Sequence, residues 1–140
     1  MVNKVTLQIH EVLDKTGKTV KKADKIQFLK QNDSFALRSV LQATYHPNIK
    51  LDLPEGDPPY TANAPHSAPS DLSRQARRFS YFAPPKSTQM NPVKKESMFI
   101  QLLEAIHPED AKIVLQMKDK KPFKGISAAV VKEAFPNILP

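Results

Sequence analysis

No cysteine occurs in these 140 residues. Disulfides, thiolate metal sites and thiol catalysis are therefore excluded, and the reducing interior of a cell is the natural setting. Glycine is scarce too, with three residues, too few for a phosphate-cradling loop. No apolar run approaches the roughly 20 residues a membrane span requires. The opening Met1 to Lys4 does not lead a basic region into an apolar one, so no signal peptide is expected. There is no Gly-x-Ser-x-Gly elbow, and His10, His46, His66 and His107 fall in no His-x₃-His or Cys/His spacing. The chain is expected to be no enzyme and to hold no metal and no cofactor. Neither a membrane nor a small-molecule substrate is indicated.

What is present is a length suited to one domain with a sizeable core. Hydrophobic residues make up 40 % and charged residues 25 %, close to globular values, so wholesale disorder is not expected. The net charge is +7 with a sequence pI near 9.6. A basic balance of this size fits an acidic partner, such as nucleic acid, an anionic surface or an acidic protein. It equally fits a solvated basic surface that only aids solubility.

Apolar spacing predicts about seven helical segments and very little strand. Val5, Ile9, Val12 and Leu13 form a helical stripe over 3–14, which Gly17 is expected to end. A second helix is read over 21–31 from Ala23, Ile26 and Leu29. Asn32, Asp33 and Ser34 are helix starters; Leu37, Val40, Leu41 and Tyr45 follow, and His46-Pro47 closes that helix. Ser70-Asp71 starts a short helix with Leu72, Ala76 and Phe79 inward, stopped by Pro84-Pro85. Pro92 opens a helix carrying Phe99, Leu102, Leu103 and Ile106. Pro108-Glu109-Asp110 opens the next, and Ser127 precedes a last one with Val130, Val131, Ala134 and Phe135 inward. Short connections among the final three predict that they pack as neighbours. The fold class is thus all-α, a single helical domain over 1–140. Residues 48–69, where the pattern collapses among prolines, form a long irregular connection through its middle.

Two features stand out as candidates for binding. The segment from Arg74 to Lys95 holds Arg74, Arg77, Arg78, Lys86, Lys94 and Lys95 interleaved with Phe79, Tyr81 and Phe82. Cations neutralise phosphates and an aromatic such as Tyr81 stacks on exposed bases. A second basic cluster, Lys118, Lys120, Lys121 and Lys124, is expected to extend the same face. The other candidate is the proline arm with Pro54, Pro58, Pro59 and Tyr60, an extended segment suited to a partner or to lying as a strap across its own helices. His46 and His107, each before a proline at a helix end, are read as caps of carbonyls. Glu96, Glu104, Glu109 and Asp110 could do acid–base work, yet Glu109 and Asp110 stand where a helix start favours acid anyway.

Several blocks carry a resemblance. They are Leu53 to Tyr60 (LPEGDPPY), Phe99 to Glu104 (FIQLLE) with His107 to Ala111 (HPEDA), Met117 to Lys120 (MKDK), and Lys124-Gly125 followed by Val131 to Pro136 (VKEAFP). In this order, from about Asp24 to the end, the chain resembles a family of small proteins encoded by T4-like tailed phages, including marine ones. The resemblance implies a phage source and no assigned activity, so it carries no functional residue over. It implies binding as the mode of action, in the host cytoplasm or in the virion. Phage or host nucleic acid is one partner, in replication or transcription. A phage or host protein complex, as a virion component or as a modulator of a host protein such as RNA polymerase, is the other.

Overall fold

The computed structural model describes residues 7–140. Among them lie α1 (Ile9–Lys18), α2 (Lys22–Gln31), α3 (Phe35–Tyr45), α4 (Leu72–Gln75), α5 (Pro92–Ala105), α6 (Pro108–Lys118) and α7 (Ala128–Ala134), with 3₁₀ helices at Ala76–Phe82 and Lys86–Gln89. The described residues contain no strand, so the chain is all-α. No described helix is long and apolar enough to cross a membrane.

Polar residues at the helix starts satisfy backbone amides that have no partner inside the helix. The Leu37 amide donates to the Ser34 hydroxyl at 3.1 Å, the Arg74 amide to the Asp71 carboxylate at 2.9 Å, and the Val130 amide to the Ser127 hydroxyl at 3.2 Å. α3 and α6 pack on each other at the centre, with Leu37, Val40, Leu41, Val114 and Met117 fully buried. α1 and α5 flank α6, and the first 3₁₀ helix lies against α3.

Three expectations change. The first helix begins at Ile9, and Val5 lies outside the described residues. Gly17 does not end that helix but sits inside its last turn. There a Cβ would run into the Lys124 carbonyl, so glycine is required for two backbones to touch. Facing it, Gly125 has φ +77° and its own missing side chain leaves room for Gly17. Finally, α5 and α6 are neighbours, but α7 packs chiefly on α2. A Lys22–Glu133 ion pair at 3.0 Å and a bond from the Lys25 ammonium to the Gly125 carbonyl tie α2 to the α7 side.

The proline-rich connection is a strap. The Asp52 amide donates to the Phe82 carbonyl at 2.6 Å, and the Gly56 amide to the Asp119 carboxylate at 3.3 Å. Further along, the Thr61 amide donates to Glu104 at 2.8 Å. The Asn63 side chain reaches the Glu104 and Ile106 carbonyls at 2.7 and 2.9 Å, and the Ser70 amide reaches the Ala105 carbonyl at 2.7 Å. The strap therefore supplies donors to the C-terminal carbonyls of α5, which no intrahelical amide can serve. Pro54, Pro58, Pro59 and Tyr60 belong to it, with Pro58 and Tyr60 half-buried. Burial, with negative charge at Asp57 adding to it, raises the Tyr60 phenol above its ordinary value.

Candidate functional site

From Leu72 to Lys95 the sequence contains no aspartate or glutamate and six cations. That run builds a ridge of α4 and the two 3₁₀ helices, which pack on one another in turn, and then the first turn of α5. Asp71 starts α4, which tightens after a single turn into the 3₁₀ helix. An α-helix over the whole stretch was expected. Ala76, Phe79 and Phe82 recur every third residue, and three residues per turn is the 3₁₀ period, so all three bury together. Phe82 meets Phe99 of α5 edge-on, with ring centroids 5.4 Å apart. The same geometry turns Arg74, Arg77, Arg78 and Tyr81 outward. Tyr81 is 43 % exposed, whereas Phe79 and Phe82 are 7 % and 1 % exposed. The Lys86 ammonium lies 5.0 Å from the Tyr81 ring centroid, within cation–π reach.

The candidate cations divide sharply. Arg74 approaches Asp71 at 3.6 Å in an exposed pair of little energetic weight. Arg77, Arg78, Lys86 and Lys94 are exposed, and among the described residues none has a carboxylate within ion-pair distance.

Lys95 is a correction. It is 7 % exposed, and its ammonium donates to Asp52 at 2.8 Å and to the Ser87 carbonyl at 3.3 Å. The Lys95 bond holds the Asp52 carboxyl below its usual range. This ammonium clamps the strap to the second 3₁₀ helix and is not part of the ridge surface.

Lys118 and Lys120 are corrections of the same kind. The Lys118 side chain is 1 % exposed and donates to Asp119 at 2.5 Å and to the Pro54 carbonyl at 2.8 Å. Lys120 reaches the Ala43, His46 and Ile49 carbonyls at 2.8, 2.7 and 2.6 Å. It thereby serves as the donor at the end of α3 and in the turn after it, and desolvation lowers its ammonium below the ordinary lysine value. Lys121 and Lys124 remain exposed, but Lys124 lines a cleft against α1.

That cleft, about 800 Å³, lies between α1 and α6 over Leu13, Ile113 and Phe123. Its charges nearly balance: Lys15, Lys18, Lys112 and Lys124 face Glu11, Asp14 and Glu109. Each acid already has a partner, at 2.9 Å for the Gln8 amide to Glu11, 3.0 Å for Lys18–Asp14 and 3.1 Å for Lys112–Glu109. At one wall the His10 ring bonds Asp110 at 2.8 Å and stacks on His107 at 4.6 Å. Asp110 also accepts the His10 amide at 2.9 Å, so it caps α1 from another helix instead of only favouring its own start. Nor do the His-Pro histidines cap carbonyls. Each ring nitrogen accepts the amide two residues on, Asn48 at 3.1 Å for His46 and Glu109 at 3.0 Å for His107. The described residues include no group of His, Cys, Asp and Glu suited to a metal ion.

Two of the inward lysines were legible. Lys95 stands on the stripe of Phe99, Leu102 and Ile106, and Lys118 on that of Ala111, Val114 and Leu115. A lysine at such a position is a core residue that needs a buried partner.

The sequence profile of a family of unknown function (DUF6433) matches residues 12–123, most of the chain. No curated protein matches it.

Proposed function

The chain belongs to that family of unknown function, and we propose from its own surface that it is a non-enzymatic accessory protein that binds nucleic acid through the ridge of α4 and the 3₁₀ helices. The observation that carries this reading is the acid-free run from Leu72 to Lys95, whose Arg77, Arg78, Lys86 and Lys94 face solvent without a carboxylate partner. Such cations gain little from the fold itself. Against a polyanion each neutralises a phosphate and releases counterions. Four such contacts correspond to a log–log salt slope of about −3. The balanced cleft between α1 and α6 offers no comparable field.

The resemblance to T4-like phage proteins supplies the setting, replication or transcription in an infected host cell. The test is a pull-down of the tagged protein from such cells, with and without nuclease, read by mass spectrometry. Partners lost on nuclease treatment support the proposal. Retention of a capsid, tail or host polymerase subunit would replace it with a protein-binding role, in the virion or on the host enzyme.

A further inference from the structure

Resting on that reading, we infer that the ridge takes single-stranded nucleic acid, with a base stacked on Tyr81 and its phosphate beside Lys86. Three observations carry this. Tyr81 holds its ring in solvent next to two aromatics that the core accepts, Phe79 and Phe82. Nothing in the 3₁₀ period requires an aromatic there, since position 81 is off the Ala76, Phe79, Phe82 stripe. The ring is also paired with a cation, Lys86, at 5.0 Å. An exposed ring that carries an ammonium over it offers one nucleotide a stacking surface and a cation for its phosphate. Stacking tolerates any base, because every base has a π-face.

The ridge is moreover poorly shaped for a duplex groove. Duplex bases already have both faces covered by their neighbours, so an aromatic platform gains a partner only when the strand is single. Reading base edges in the major groove takes a projecting helix or a β-ribbon. Here α4 has four residues, the 3₁₀ helix has seven, and Pro84-Pro85 follows directly. An exposed basic track with one stacking platform remains, the combination that single-strand binders use.

The experiment compares a fluorescein-labelled 20-nucleotide oligo(dT) with a mixed-sequence duplex of the same length, by anisotropy at several salt concentrations. The full-length protein is used with Tyr81→Phe, Tyr81→Ala and Arg77→Ala/Arg78→Ala variants, all checked by circular dichroism. The single strand is expected to bind more tightly than the duplex at equal salt. Tyr81→Ala is expected to weaken single-strand binding about tenfold, as loss of one stacked base does, with its salt slope unchanged, while Tyr81→Phe retains binding. Equal affinity for both nucleic acids, or indifference to Tyr81→Ala, overturns the inference; if the double arginine variant still loses binding, nucleic-acid binding itself survives. If neither nucleic acid binds, both fall together.

Discussion

Two lysine- and arginine-rich stretches look alike in the sequence, 74–95 and 118–124, yet they send their charges in opposite directions. The first keeps Arg77, Arg78, Lys86 and Lys94 in solvent and folds in only Lys95. In the second, Lys118 and Lys120 point inward to carboxylate and carbonyl oxygens, and Lys121 and Lys124 alone stay outside. The difference lies in what each stretch is packed beside. The later one sits where α3 ends and the proline strap crosses, and both leave carbonyls without amide donors. A lysine ammonium offers three donors and fills such a gap. On the first 3₁₀ helix Arg77 and Arg78 are exposed and make no ion pair among the described residues, so their guanidinium groups stay free for a partner. A cluster of positive charge therefore indicates a binding surface only after its local acceptors have been counted.

Substitutions can break this contrast. The largest effect is expected for Lys118→Ala, which leaves the Asp119 carboxylate, at 7 % side-chain exposure, with only the Gly56 amide and takes the donor from the Pro54 carbonyl. Removing one partner of a buried pair costs about 3–5 kcal/mol, to be read from urea denaturation midpoints. Replacing both, Lys118→Met with Asp119→Leu, is expected to recover most of that loss. Lys120→Ala leaves the Ala43, His46 and Ile49 carbonyls without their shared donor. A loss of about 2 kcal/mol is expected, seen as a melting temperature lower by roughly 4–8 °C, with nucleic-acid affinity unchanged.

Asp52 gives a smaller, pH-dependent effect. Its folded-state pKa is depressed by the Lys95 hydrogen bond. Its contribution is therefore present above the ordinary aspartate range and is lost as the pH falls from about 4 through the lowered value. The carboxylate is half exposed, so the slope is modest. Thermal melts of Asp52→Asn against pH are expected to show lower stability at neutral pH and a shallower acid limb than the parent.

The smallest effect on stability belongs to Arg77→Ala/Arg78→Ala, within about 0.5 kcal/mol, as for surface substitutions generally. It is nonetheless expected to weaken single-strand binding and to flatten the salt slope by about 1.4, the share of two phosphate contacts. Unchanged affinity in this variant would remove the ridge from the site.

Much of the fold was legible because its signals are local. Ser34, Asp71, Asn91 and Ser127 cap helices within three residues of themselves, and His46-Pro47 ends α3. Within the candidate site, the acid-free run and the every-third-residue spacing of Ala76, Phe79 and Phe82 can also be read directly from the sequence. The inward course of Lys95 and Lys118 is visible in their helical register, though not the oxygen each one meets. By itself, then, the sequence determined an all-α chain and most of its helix starts, since propensity, capping and periodicity act over a few residues. Only the tertiary structure decided that Gly17 meets Gly125, that α7 lies on α2, that Asp110 caps α1 and that Lys120 closes α3. Each of these depends on groups brought together from 71 to 111 residues apart, and the need to satisfy every buried donor and acceptor is met between segments that no local pattern connects.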